Sequence, residues 1–301
     1  MEMVDPRTLY AWCRVPCEAL ENHPDRKMPF RLCRDSREMG EWMAAELVEA
    51  VHSKPTCRLI IPCGPSCWYE PFTRLINQRK VSMAGVTVFH MDECLDWQGH
   101  ELPRQHPYSF RGFMERHFYG PVHPELSVPE HNRVWLNGNN VAEVQDRISD
   151  SPVDLVFGGW GQDGHVAYNQ ARRHPYHPIS LEELRGSTAR IQENSWDTMI
   201  ALAQRTFGSA YQFVPPMSVT LGMKDILSAK KVRLFSDTGP WKQTALRVAL
   251  FSFPTTEYPI TLLQEHPDIF LTATIETARH PISEHPEWDL NVSISTEKLC
   301  C

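Results

Sequence analysis

A carboxylate and an imidazole stand two residues apart in Gly158-Gly-Trp-Gly-Gln-Asp-Gly-His165. Histidine changes its charge near neutral pH, and a nearby carboxylate fixes the ring and raises its basicity. The surrounding glycines let the backbone approach a ligand closely. The pattern fits a solvated loop as well as a proton-transfer pair made of Asp163 and His165.

A second acidic site is the pair Asp92-Glu93, directly after the β-rich run Val86-Thr-Val-Phe-His90. Two acids after a strand often cap the next helix. Alternatively, Asp92 points into a cleft as a base that moves a proton between adjacent carbons of a sugar. The sequence leaves both interpretations open.

Two turns have the composition of anion-binding sites. Cys63-Gly-Pro-Ser66 offers backbone N–H groups and a hydroxyl at the start of a helix. Gly239-Pro-Trp-Lys-Gln-Thr244 places Lys242 at the start of another helix, where N–H groups and an ammonium could hold a phosphate. A solvated lysine at a helix end is the simpler alternative for Lys242.

Short apolar runs alternate with helical patterns along the chain, which predicts an α/β fold with an open, mostly parallel sheet and helices on both faces. Ligands of such sheets bind at the carboxyl ends of the strands, where the polar clusters above fall. Residues 28–301 are expected to form one domain, with a lid at about 172–214 and an irregular extension at 1–27. Strands are predicted at 58–62, 86–90, 153–157, 218–222, 231–235 and 269–273, and helices at 36–51, 69–78 and 242–248.

The composition is that of a globular protein, with 301 residues, 42% hydrophobic, and a net charge of −7. The dispersed acidic charge speaks against nucleic acid, and no apolar stretch is long enough to cross a membrane. Nine cysteines, an odd number, favour free thiols and a cytoplasmic location. His174 and His177 lack acidic or thiol companions, so no metal site is predicted.

Two motifs together resemble a known family. Phe89-His-Met-Asp-Glu93 resembles F-N-M-D-E, and the segment from Gly158 to Asn169 resembles G-x-G-x-D-G-H-I-A-F-N. Supporting matches run from about residue 29 to about 274 and are Tyr108-Ser-Phe110, Leu136-Asn-Gly138, Val219-Thr-Leu-Gly222 and Asp225-Ile-Leu227. The family is glucosamine-6-phosphate deaminase/isomerase, whose wider relatives include 6-phosphogluconolactonases.

The resemblance implies a Rossmann-like fold, a sugar-phosphate substrate, no cofactor and a homo-oligomer. The implied reaction converts glucosamine 6-phosphate and water to fructose 6-phosphate and ammonia. Asp92 would move a proton between C2 and C1, and Asp163 with His165 would open the sugar ring. Substrate or phosphate contacts are implied at Gly64, Ser66, Glu93, Gly161, Arg205 and Lys242.

Three positions depart from the family pattern. Gln170 stands where the family has a glutamate, so it could hydrogen-bond His165 in the catalytic set but not supply charge. Pro65 removes an N–H donor from the phosphate turn, and Cys94 replaces a tyrosine. Two alternatives therefore stay open: an isomerase or hydrolase of another phosphorylated sugar, and a catalytically impaired sugar-phosphate sensor.

Overall fold

The computed structural model describes residues 4–171 and 178–290, which form two β-sheets and the helices around them. The first sheet is parallel, with seven strands in the described residues. The second sheet is small and antiparallel. In chain order the strands are β1 (Phe30–Cys33), β2 (Arg58–Ile61), β3 (Thr87–His90), β4 (Asp92–Leu95), β5 (Arg133–Val134), β6 (Leu155–Gly158), β7 (Arg190–Glu193), β8 (Met217–Thr220), β9 (Val232–Ser236) and β10 (Ile269–Thr274). The parallel sheet runs β1-β10-β9-β6-β2-β3-β5, and the antiparallel sheet runs β4-β8-β7.

Helices connect these strands. The α-helices are α1 (Pro6–Cys13), α2 (Cys17–Leu20), α3 (Ser36–Ser53), α4 (Tyr69–Arg79), α5 (Phe110–Met114), α6 (Val141–Ser149), α7 (Leu181–Arg185), α8 (Trp196–Thr206), α9 (Met223–Leu227), α10 (Gln243–Phe251), α11 (Ile275–Ala278) and α12 (Pro281–Glu284). A π-helix spans Glu115–Tyr119, and 3-10 helices span Pro124–Leu126, Glu130–Asn132, Tyr211–Phe213, Gly239–Lys242 and Pro259–Glu265.

The parallel sheet separates two hydrophobic cores. In β2, Leu59 and Ile61 face one core and Ile60 faces the other, as the two-residue period of a strand requires. Helices α3 and α4 cover the first core, and α6 and α10 contribute to the second. The predicted α/β fold, with a mostly parallel sheet and helices on both faces, is therefore confirmed.

All seven parallel strands end at the same edge of the sheet, where the candidate residues were expected. The Cys63-to-Ser66 turn follows β2, the segment Gly159-to-His165 follows β6, and Asp237 to Lys242 follow β9. This edge carries the candidate active site.

Two segments lie in the antiparallel sheet, which the sequence did not predict. Asp92 and Glu93 neither cap a helix nor remain in a loop, because the chain continues from β3 into β4 and pairs with β8. The predicted strand at 218–222 corresponds to β8, which belongs to the antiparallel sheet. Pairing between distant segments decides such placement, and local periodicity does not report it.

The irregular structure predicted for residues 1–27 is wrong for α1 and α2. Asp5 caps α1 by accepting the N–H of Thr8, with Pro6 at the first helical position. Cys13, Cys17 and Leu20 are buried, and α1 packs against α10. The charged residues that suggested irregular chain lie on the outer surface of these short helices.

The segment at 172–214, predicted to be a lid, contains regular structure where it is described. It includes α7, β7 and α8, and β7 is hydrogen-bonded into the antiparallel sheet. Residues 172–177, including His174 and His177, lie outside the described residues. Movement of this segment stays a prediction. Within residues 4–171 and 178–290, no helix combines the length and the hydrophobicity needed to cross a bilayer.

Candidate active site

A cavity of about 430 Å³ opens at the carboxyl edge of the parallel sheet. It brings together six of the ten predicted site residues, which are Gly64, Ser66, Asp92, His165, Arg205 and Lys242. Its remaining walls include Cys63, Tyr108, Phe110, Phe113, Trp160, Tyr168, Leu202, Thr206, Asp237 and Thr238. We call Asp92 and His165, together with the buried Asp163 that contacts His165, the proton end. We call the part formed by Gly64, Ser66, Arg205 and Lys242 the cation end.

Asp163 and His165 form a directed pair at the proton end. Nδ1 of His165 lies 2.6 Å from Oδ1 of Asp163, whose side chain is 1% exposed. Because a carboxylate only accepts, Nδ1–H is the donor and Nε2 is left to exchange a proton with a ligand. Burial alone would raise the pKa of Asp163, but the neighbouring His165 outweighs it and holds the pKa below its ordinary value. Asp163 therefore stays ionised and orients the ring.

The His165 ring fits between a glycine and a tyrosine. A Cβ atom added to Gly161 would lie only 2.1 Å from Cε1 of His165, so only glycine leaves room for the ring. The Tyr168 ring stacks on the imidazole with centroids 5.8 Å apart. Gly161 does not line the cavity, and its geometry assigns it to His165 instead of the substrate contact implied by the resemblance.

Asp92 lies at the start of β4 and lines the cavity. Burial and the adjacent Glu93 raise the pKa of Asp92 to about 7, while His165 lowers it. A carboxyl with a pKa near neutrality accepts and returns a proton easily at physiological pH. Buried titratable groups in clefts, shifted this far, are frequent at catalytic sites.

Glu93 points away from the cavity. Its carboxylate accepts the backbone N–H groups of Phe110 at 2.8 Å, Arg111 at 2.7 Å and Cys94 at 2.9 Å. These bonds tie β4 to the N-terminus of α5, where a negative charge is favourable. The structure thus gives Glu93 a scaffold position and does not bring it to the ligand cavity.

Two basic side chains reach the cation end from different elements. Lys242 ends the 3-10 helix after β9, and Arg205 lies in the last turn of α8. Burial and the nearby Arg205 lower the pKa of Lys242 to about 8, and Asp237 and Asp163 act in the opposite direction. Arg205 is exposed and lines the cavity. An anion would satisfy both cations.

The hydrogen bonds of Gln170 within the described residues lead to β7 and to the start of α8. Its Oε1 accepts the backbone N–H of Ser195 at 2.7 Å and the hydroxyl of Thr198 at 3.0 Å, and its Nε2 donates to the carbonyl of Glu193 at 3.3 Å. The hydrogen bond to His165 that the sequence allowed is not among the contacts of the described residues. Gln170 instead binds the start of α8.

Sequence analysis missed several residues that shape the site. Gln162 donates to the carbonyl of Asp197 at 2.7 Å, and Tyr108 donates to the carbonyl of Leu202 at 2.9 Å. Both anchor α8, a relation that no local pattern shows. Asp237, which faces Lys242, was detectable because it directly follows β9 at the sheet edge.

Sequence comparison finds similarity to curated proteins named glucosamine-6-phosphate deaminase. Glucosamine-6-phosphate deaminase of Vibrio campbellii is 32% identical over 244 residues, which cover 76% of this chain and 84% of that protein. The same enzyme of Serratia proteamaculans is 32% identical over 248 residues, covering 77% and 85%. The chain belongs to the glucosamine-6-phosphate deaminase family. No protein-family model matches it.

Solved structures share the fold of this glucosamine-6-phosphate deaminase family member. A monomeric glucosamine-6-phosphate deaminase of the NagB superfamily superposes with a TM-score of 0.72 at 23% identity, covering 83% of this chain and 99% of that chain. A 6-phosphogluconolactonase from Thermotoga maritima superposes with a TM-score of 0.57 at 17% identity, covering 81% and 98%. At these identities the likeness concerns the fold alone.

Proposed function

We propose that this protein deaminates and isomerises glucosamine 6-phosphate, forming fructose 6-phosphate and ammonia. The observation that carries the proposal is the raised pKa of Asp92, about 7, in the same cavity as the ring of the Asp163–His165 pair. A base for C–H abstraction and a group for ring opening are the two proton-transfer functions that this reaction needs.

The proton end supplies both functions. Nε2 of His165 exchanges the ring-oxygen proton as the pyranose opens, and Asp163 holds the ring in the required tautomer. Asp92 then removes the proton from C2 and returns it to C1 of the open sugar, while O1 gains a proton and the amino nitrogen loses one. The product is an imine at C2, and attack of water on C2 releases ammonia and leaves the ketone. Atoms balance with one water consumed and no cofactor.

The cation end holds the phosphate in this proposal. Lys242 and Arg205 provide charge, and the turn from Gly64 to Ser66 provides a hydroxyl and backbone groups. Pro65 has no N–H, so the turn has one donor fewer than a glycine-rich turn would have. The basic side chains compensate for part of that difference.

Two further properties stay predictions. The homo-oligomer expected from the family resemblance has no support from the monomeric deaminase that shares this fold. The cytoplasmic location rests on the composition and on the sugar-phosphate substrate proposed here.

The test is a product assay with the purified protein and glucosamine 6-phosphate. Ammonia and fructose 6-phosphate are followed together, and we expect equal amounts of both. Asp92→Asn is the matched variant, since it keeps the size of the side chain and removes the base. Formation of neither product by the unchanged protein would contradict the proposal.

A second substrate separates this function from the alternative suggested by the lactonase fold. We expect 6-phosphogluconolactone to be hydrolysed much more slowly than glucosamine 6-phosphate is deaminated, because Asp92 has little to do in ester hydrolysis. Rapid hydrolysis of the lactone without release of ammonia from glucosamine 6-phosphate would favour a lactonase. Tight binding of either sugar phosphate without turnover would favour a sensor.

A further inference from the structure

Helix α8 has few apolar contacts to hold it over the cavity. Of its residues only Thr198, Met199 and Ala203 are buried. Met199 and Ala203 belong to a small cluster with Val214, separate from both main cores. Trp196 and Ile200 on the same helix are exposed. Polar contacts must therefore contribute much of the positioning of α8, and with it of Arg205.

The orientation of the Gln170 amide is fixed by its partners. A backbone N–H can only donate, so the atom 2.7 Å from the Ser195 nitrogen must be the amide oxygen. A backbone carbonyl can only accept, so the atom facing Glu193 must be the amide nitrogen. The side chain is 6% exposed, and a lost bond at this depth would leave a buried polar group unsatisfied.

A glutamate cannot make the same set of contacts. Its carboxylate could still accept from Ser195 and Thr198, and the N-terminus of α8 would favour its charge. Its second oxygen, however, would face the carbonyl oxygen of Glu193, to which Gln170 now donates at 3.3 Å. The environment thus selects the amide, although the family pattern has an acid at this position.

We propose that Gln170 is a positioning residue that holds α8 so that Arg205 reaches the phosphate, and that it does not assist His165. This inference rests on the proposed function and assigns phosphate affinity to a position where the family pattern suggests proton chemistry. Gln162, which donates to the carbonyl of Asp197, supports the same helix turn from the same loop.

The experiment compares Gln170→Ala, Gln170→Glu and Arg205→Ala in steady-state kinetics with glucosamine 6-phosphate. For Gln170→Ala we expect KM to rise about 3- to 10-fold with little change in kcat, because a displaced Arg205 should lose about the energy of one ordinary hydrogen bond to phosphate. Gln170→Glu should raise KM and should not raise kcat. A lowered kcat at unchanged KM in Gln170→Ala, or a raised kcat in Gln170→Glu, would overturn the proposal.

A double-mutant cycle tests whether the effect passes through Arg205. Calorimetry measures binding of inorganic phosphate to the unchanged protein, to both single variants and to the double variant. We expect Gln170→Ala to weaken phosphate binding only when Arg205 is present. Effects that add independently would overturn the proposal. Because this assay needs no turnover, it distinguishes failure of the positioning role from failure of the deaminase function.

Two controls separate positioning from loss of stability. Gln264, which does not line the cavity, uses its amide nitrogen to donate to two backbone carbonyls, those of Ala249 and Ser252. Gln264→Ala should leave phosphate affinity unchanged, and an equal loss there would count against a specific role for Gln170. If Gln170→Ala does not fold, Thr198→Val removes one partner hydroxyl and keeps the shape. It should weaken phosphate binding about 2- to 3-fold, the low end for one hydrogen bond, and unchanged binding would contradict the proposal.

Discussion

The two ends of the cavity differ in how their residues are held. At the proton end, Asp92 and the Asp163–His165 loop follow β3 and β6, and short bonds fix the imidazole within its own loop. At the cation end, Lys242 follows β9, but Arg205 arrives on α8, which is tied by polar contacts from Gln162, Gln170 and Tyr108. The imidazole at the proton end is therefore fixed within its own loop, whereas Arg205 at the cation end depends on contacts from distant parts of the chain.

Because of this difference, we expect substitutions at the two ends to change different kinetic constants. Substitutions at the proton end should act on kcat, because they remove groups that serve only in the reaction. Substitutions at the cation end should act on KM, because a phosphate remote from the reacting carbons contacts the protein equally before and during the reaction. Substitutions at each end test whether kcat and KM respond separately in this way.

The largest effect is expected for Asp92→Asn. Removing a general base costs about 10²- to 10⁴-fold, so we expect kcat to fall about 10³-fold while KM changes little. Steady-state kinetics gives both values, and thermal unfolding confirms that the variant is folded. A variant that retains more than a tenth of the original kcat would remove Asp92 from the mechanism.

Gly161→Ala should have the next largest effect. It tests the proton end without changing a titratable group. The added methyl group would meet the His165 ring at 2.1 Å and displace it. A catalytic group misplaced by about 1 Å can cost about 100-fold in rate, so kcat should fall by that order. Phosphate binding, measured by calorimetry, should be unchanged. Weakened phosphate binding with normal kcat would contradict the division between the two ends.

Arg205→Ala tests the cation end. A charge-assisted hydrogen bond to phosphate contributes about 1.5–3 kcal/mol, so we expect KM to rise about 10- to 100-fold with kcat nearly unchanged. Lys242→Ala should act in the same direction. A fall in kcat at unchanged KM in either variant would show that the cation end participates in the chemistry.

Sequence motifs report the residues at strand ends better than the contacts between distant segments, for a physical reason. Asp92, Asp163 and His165 belong to short motifs at strand ends, and the parallel sheet brings such ends to one edge. The contact between Gln170 and Ser195 joins residues 25 positions apart, and no periodicity reports it. The pairing of β4 with β8 was missed for the same reason, since the partners lie far apart in the chain.

The pH dependence should reflect both ends at once. Burial and Glu93 raise the pKa of Asp92 to about 7, so the base form accumulates above that pH. Burial and Arg205 lower the pKa of Lys242 to about 8, so the charge that binds phosphate is lost above that pH. We expect kcat/KM to rise up to about pH 7 and to fall above about pH 8. In Asp92→Asn the acidic limb should disappear, and its persistence would assign that limb to another group.

The smallest effect concerns stability. The pKa of Asp92 is about 7 in the folded protein but near 3.9 in an unfolded chain, so the folded state binds the extra proton between these values. Stability contributed by the neutral carboxyl is complete below about pH 4 and is lost as the pH rises to about 7. Asp92→Asn, which stays neutral, should therefore be more stable than the original protein at pH 8 and match it at pH 4.

Asp154 is a control for that measurement, because its contribution to stability changes with pH in the opposite direction. Hydrogen bonds from Lys230 and Lys54 overcome the effect of burial and lower its pKa to about 2. Its stabilising contribution is therefore present above the unfolded value and is lost as the pH falls towards 2. Asp154→Asn should destabilise the protein at pH 8. Urea unfolding at pH 4 and pH 8 gives the free energy of unfolding of both variants. At pH 8 it should rise for Asp92→Asn and fall for Asp154→Asn. A change in the same direction for both variants at pH 8 would contradict the pKa shifts given above.

Proton transfer by Asp92 is the central claim, and running the reaction in D₂O tests it most directly. Nuclear magnetic resonance of the fructose 6-phosphate formed from glucosamine 6-phosphate would locate the transferred hydrogen. We predict that the original protein forms ketose with the hydrogen delivered to C1 on one face, partly replaced by deuterium through exchange at the Asp92 carboxyl. Asp92→Asn should form this product about 10³-fold more slowly. Ammonia release and stereospecific C1 labelling that continue at the original rate in Asp92→Asn would contradict this mechanism.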